Sequence, residues 1–148
     1  MNPLDRQVKR LIEGAASHRI PPPAMQIIAN VLRTIADRLD YPTYTVLTAS
    51  NGGWLQVTLS NRQFPELEKK VVYAYPSYRM AKLEANKLVE LEPVCQELGT
   101  IDLLFQLLGL PEIDSLIFLE HGQGGKEIKR QELYNLCQKQ LQSNIYLA

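Results

Sequence analysis

The sequence predicts an α+β domain in which a mainly antiparallel sheet of four to five strands carries helices packed on it. Three observations predict it. Residues 4–15 and 27–39 repeat apolar side chains at helical spacing. Residues 43–60 and 70–75 are rich in β-branched and aromatic residues broken by turn signals. Residues 115–119 form a continuously apolar run too short for a helix. A length of 148 residues suits one domain, 1–148, large enough to bury a core without a disulfide or metal staple. The hydrophobic share of 45% excludes intrinsic disorder, and zero net charge excludes a whole-molecule pull toward nucleic acid or anionic lipid.

The first element is a short amphipathic helix with Leu4, Val8, Leu11, Ile12 and Ala15 inward and Arg6, Lys9, Arg10 and Glu13 outward. It ends between Gly14 and His18, because Pro21-Pro22-Pro23 cannot continue a helix. Residues 1–20 therefore read as an N-terminal helical arm before a stiff connector. A second helix starts at about Pro23 and carries Ile27, Ile28, Val31, Leu32, Ile35 and Leu39 on a broad apolar stripe.

Thr43-Tyr44-Thr45-Val46-Leu47-Thr48-Ala49-Ser50, Asn51-Gly52-Gly53 and Trp54-Leu55-Gln56-Val57-Thr58-Leu59-Ser60 together read as a β-hairpin. Side chains alternate, so loop length decides which residues share a face. A three-residue loop with Gly53 left-handed gathers Thr45, Leu47, Ala49, Leu55, Val57 and Leu59 on one face, sorting the apolar residues better than a two-residue loop. The other face holds Tyr44, Val46, Thr48, Trp54, Gln56 and Thr58.

Residues 70–75 are a third strand, closed by Pro76, after which Ser77 caps a helix through Met80, Leu83, Leu88 and Leu91. That helical run breaks at Pro93 and again at Gly99, where Thr100 caps a further short helix that Gly109-Leu110-Pro111 stops. Residues 115–119 form a fourth strand, His121-Gly122-Gln123-Gly124-Gly125 a loop, residues 126–129 a fifth strand, and Leu133, Leu136, Cys137 and Leu141 mark the last helix. The predicted order is α-α-β-β-β-α-α-β-(β)-α.

Charge is uneven along this order. Residues 41–61 have no charged side chain, residues 62–87 sum to +3, and residues 88–120 hold seven acidic and no basic groups. Two widely separated cysteines, Cys95 and Cys137, fit a reducing cytoplasm better than an oxidising compartment. The opening residues have no apolar h-region, so they do not read as a secretory signal, and no run approaches the roughly 20 apolar residues of a membrane span.

Chemistry-bearing motifs are few. Gly122, Gly124, Gly125 and Lys126 invite comparison with a phosphate-cradling loop, but a Walker loop requires a glycine where Glu120 stands and a hydroxyl residue where Glu127 stands. A flexible hairpin turn is the plainer reading. Residues 69–82 interleave basic and aromatic side chains, with Tyr73 and Tyr75 on one face where bases could stack, although tyrosines at period 2 are ordinary strand formers. Two histidines, His18 and His121, give no zinc set and no recognisable triad, so neither a metal, a cofactor nor catalysis is expected.

The uncharged flank of the hairpin is the more informative patch. Exposed sheets normally carry charges against unwanted pairing, and none is present here. Tyr44, Val46, Thr48, Trp54, Gln56 and Thr58 thus form a candidate docking surface with Trp54 as its aromatic anchor. The alternatives are that another helix covers this flank or that water does.

From residue 23 to residue 141 the order α-β-β-β-α-β-β-α resembles that of type III secretion chaperone-like and YbjN-like domains. The resemblance implies a small cytoplasmic protein, often a homodimer, that binds an extended segment of a partner without doing chemistry. The expectation is therefore a non-enzymatic protein-binding, adaptor or chaperone-like module, whose partner is another protein or a second copy of itself. The alternative is a phosphate ligand or nucleic acid held by Gly122, Gly124, Gly125 and Lys126 with the basic segment.

Overall fold

A computed structural model describes residues 2–64, 66–122 and 124–147 of the chain. Helix α1 (Pro3–Glu13) begins where Asn2 caps it, the Asn2 carboxamide accepting from the Leu4 N–H at 2.8 Å. A 3-10 turn (Ala15–His18) and a left-handed Arg19 (φ 58°) redirect the chain into α2 (Pro22–Ala36). The stripe of α2 buries Met25, Ala29, Leu32, Ile35 and Ala36, and Leu4, Leu11 and Ala15 enter the same core. The expected N-terminal arm is therefore packed on the domain.

Strands β1 (Thr43–Thr48), β2 (Val57–Leu59) and β3 (Lys69–Ala74) follow, then α3 (Tyr78–Lys87), capped by the Ser77 hydroxyl, which accepts from the Met80 N–H at 3.2 Å. Next come a 3-10 turn (Val89–Leu91), β4 (Val94–Gly99), α4 (Thr100–Leu108), β5 (Ser115–Leu119), β6 (Gly125–Lys129) and α5 (Arg130–Leu147). The class is α+β, but the strands form two sheets in place of the single one expected. One is the antiparallel pair β1–β4; the other is mixed, in the order β2-β3-β5-β6 with β3 and β5 parallel. Reciprocal backbone bonds between Thr45 and Tyr75, at 2.8 and 2.7 Å, tie one sheet to the other.

Three expectations are corrected here. Residues 94–99 form a strand, although the stretch between the expected breaks at Pro93 and Gly99 reads as part of a helical run: Pro93 closes the preceding turn, and the alternating stretch that follows finds a six-residue partner in β1. The hairpin survives only as its turn. The Ala49 N–H donates to Gly53 at 2.7 Å and the Leu55 N–H to Leu47 at 2.9 Å, after which the chain leaves β1 and pairs with β3. The left-handed residue of that turn is Gly52 (φ 88°), not Gly53, because the Asn51 side chain accepts from the Gly53 N–H at 2.9 Å and fixes the loop one residue earlier.

The third correction concerns the docking surface. Tyr44, Val46 and Thr48 are 2%, 0% and 7% exposed. Tyr44 and Val46 belong to the main core with α2 and α4, while Leu47, on the opposite side of β1, is covered by Ala81 and Ala85 of α3. Both faces of β1 are thus occupied by the molecule itself, so the expected flank cannot act as a surface. The cause is the pairing partner: β1 stands between helices on both sides because it joins β4, not β2.

One buried polar residue holds this arrangement together. Gln7 of α1 donates through Nε2 to the Pro42 carbonyl at 2.9 Å, and its Oε1 accepts from the Ile101 N–H at 3.0 Å. It thereby caps α4 from another helix, a role the sequence assigned to Thr100, whose hydroxyl instead donates to the Tyr41 carbonyl at 2.7 Å. The fit requires Gly99: a Cβ there would stand 2.6 Å from the Gln7 carboxamide carbon. Among the described residues no helix is long and apolar enough to cross a membrane.

Candidate functional site: the outer face of the mixed sheet

The alternation of β3 and β5 decides what each face carries. Val72, Ala74, Leu116 and Phe118 point into the main core. Their neighbours Val71, Tyr73, Ser115, Ile117 and Leu119 therefore point away from it. Register places Val57 beside Val71, Tyr73 beside Ile117, Ile117 beside Glu127, and Leu119 beside Gly125. The outer face consequently carries Val57, Leu59, Val71, Tyr73, Ile117 and Leu119, and the Lys69–Glu127 pair crosses it above Ser115. Val57 and Leu59 are about 40% exposed, Tyr73, Ile117 and Leu119 are half-buried, and Val71 and Ser115 are fully buried. None of the five helices makes a substantial contact with it: α1, α2, α4 and α5 lie on the core side, and α3 packs over β1 and β4.

Gly125 keeps one end of the patch flat. A Cβ there would meet the Phe118 carbonyl at 2.9 Å and the Ile117 and Leu119 side chains at 3.1 and 3.3 Å, so these two side chains lean over the glycine. At the other end a groove of about 230 Å³ runs between the sheet and α3, lined by Leu47, Leu55, Val57, Tyr73, Tyr75, Glu84 and Leu88. Burial pushes the Tyr75 hydroxyl up to about 12, with the nearby Glu84 charge acting in the same sense, so the phenol stays neutral throughout the physiological range.

The charged pair is built around Glu127. Its carboxylate pairs with the Lys69 ammonium and accepts from the Ser115 hydroxyl. The Lys69 hydrogen bond, then that of Ser115, holds the Glu127 carboxyl below its ordinary value of 4.5. A depressed carboxyl contributes stability that is present above its unfolded value and is lost as pH falls through the folded one. Glu127→Gln is therefore expected to be less stable than the parent chain at pH 7, with the difference shrinking below about pH 4.5. Urea midpoints measured at pH 7 and pH 3 check this, and an equal gap at both would contradict it.

The remaining residues singled out from sequence lie elsewhere. Trp54 is half-buried against the main core, Gln56 and Thr58 are exposed, and the six candidates do not form one surface. Gln123 of the glycine loop lies outside the described residues. Lys126 is committed within the molecule: its ammonium donates to the Arg38 carbonyl at 2.9 Å and to Asp40 at 3.2 Å, and stands 3.7 Å from Glu120. Two carboxylates neutralise the cation that a phosphate would need, and Gly122 (φ 96°) and Gly124 (φ 63°) serve the turn between β5 and β6. His18 sits edge-on to Phe105 and His121 edge-on to Tyr41.

Sequence reasoning missed Ile117 and Leu119 as surface residues because a continuously apolar strand signals cover on both faces. The useful signal was the mismatch between that pattern and the number of helices available to supply the cover. No family model matches the chain, and no curated protein is detectably similar to it in sequence.

Proposed function

We propose that the protein is a non-catalytic binding module, adaptor or chaperone-like in character, that takes an extended apolar segment of a partner protein across the outer face of the mixed sheet. One observation carries this reading. The outward side of the strand Ser115–Leu119 carries the apolar Ile117 and Leu119, which no helix packs over and which stay half-buried beside the exposed Val57 and Leu59. The groove beside α3 extends the patch. The order of elements expected from the sequence resembles that of type III secretion chaperone-like and YbjN-like domains and suggests the same function, although β4 between α3 and α4 departs from that order. Two free cysteines, Cys95 half-buried and Cys137 buried, support a cytoplasmic setting.

The test pairs Val57→Glu with Ile117→Lys. Fluorescence anisotropy with a labelled peptide of alternating valine and threonine should show saturable binding to the parent chain and an affinity loss of about tenfold or more in the double variant, since two charged side chains would lose hydration on binding. The thermal midpoint should change little, because both positions are at least partly solvated. Equal affinity in the two proteins would refute the proposal. Sedimentation of the unliganded chain reads the other occupant: a dimer that the double variant dissociates would assign the face to a second copy.

A further inference from the structure

A second concavity lies on the opposite side of the molecule. It has a volume of about 490 Å³ and opens between the 3-10 turn after α1, helix α2, the end of α4 and helix α5. Ile20, Ile28, Phe105, Leu108, Leu110 and Leu141 make its apolar walls, and among the described residues no Asp, Glu, Lys or Arg lines it. The space has a local cause. Helix α4 stops at Gly109, which offers no side chain, and the following Leu110-Pro111 turns the chain away before α5 is reached. The volume falls within the range of about 300–1,000 Å³ typical of small-molecule sites.

The polar groups on the wall are few and partly fixed. Tyr134 stands under the Arg130 guanidinium, 5.6 Å from the ring centroid, and Arg130 is itself anchored by donating to the Leu108 carbonyl at 2.7 Å. The Tyr134 hydroxyl accepts from the Gln138 Nε2 at 3.2 Å, and the residue is 40% exposed at the pocket rim. His18 is held edge-on against Phe105 with centroids 4.8 Å apart. Cys137 adds a neutral thiol, since burial pushes it up to about 11.

We infer that this pocket binds a small, mainly apolar molecule with one hydrogen-bond acceptor, which takes the proton of the Tyr134 hydroxyl at the rim. The apolar walls provide the affinity and the phenol the orientation. The site is independent of the sheet face, from which the domain core separates it.

The experiment titrates the protein with 2-acetonaphthone and with 2-ethylnaphthalene, a near-isostere without the carbonyl, followed by ligand-observed NMR and the thermal midpoint. Saturable binding of the ketone with a raised midpoint is expected. Tyr134→Phe should weaken the ketone about five- to tenfold and leave the hydrocarbon unchanged. Ile28→Trp, which fills the pocket, should abolish both, and Leu141→Trp gives the same reading from another wall if the first variant does not fold. Absence of saturable binding to the parent chain, undiminished binding in a folded tryptophan variant, or equal loss of both probes in Tyr134→Phe would overturn the assignment. So would a parent dimer that the tryptophan variants dissociate, which would make a second copy the occupant.

Discussion

Tyr44→Ala is expected to destabilise the fold by about 4 kcal/mol, in the range for deleting a large buried aromatic side chain. The ring is 2% exposed and packs edge-on against Phe118 at 4.9 Å and Tyr41 at 5.7 Å. Burial raises the ionisation of its hydroxyl above the ordinary 10.0, against the opposing influence of the backbone at Tyr41 and Asp40. Chemical denaturation checks the value. A residue on a docking surface would change stability by less than about 0.5 kcal/mol, so the measurement separates a core tyrosine from a surface one. A small effect would contradict the assigned place of β1 between two helix layers.

The second large effect is Gln7→Leu, a change of similar volume that removes both polar contacts of the carboxamide. The Ile101 N–H would be left buried without a partner, whereas the Pro42 carbonyl keeps the Thr100 N–H at 2.9 Å. An unmet buried donor costs about 1–3 kcal/mol, so a loss of about 2 kcal/mol is expected. For a chain of this length that is a fall of roughly 4–8 °C in thermal midpoint. Gln7→Glu supplies the control: it keeps one acceptor for Ile101 but loses the donor to Pro42, and should fall between the two. Equal stability of Gln7→Leu and the parent would show that α1 is not the element that closes the α4 terminus.

Much of this architecture is legible in local chemistry. Pro76 and Ser77 end one strand and start a helix as expected, the apolar run 115–119 is β5, and the stripe after the triple proline is α2. What local chemistry does not contain is which strands meet. Turn residues Asn51-Gly52-Gly53 bring Thr48 and Trp54 together, but the next choice, β2 against β3 and β1 against β4, depends on edges supplied by residues 69–99. That single choice moved Tyr44 and Val46 from the expected surface into the core, and left Ile117 and Leu119 half-buried with no helix over them. Lys126 shows the same limit, since its neutralising partner Asp40 lies 86 residues away in sequence.

The bond between Gln7 and Ile101 also spans 94 positions. During synthesis the first helix therefore emerges long before the amide that secures it exists, and β1 waits about as long for β4. Any nascent chain released before residue 101 would carry an unanchored amphipathic segment and an unpaired strand edge, the features that invite self-association. Such a fragment should aggregate where the full chain does not, and the waiting interval is when the polypeptide would most need protection.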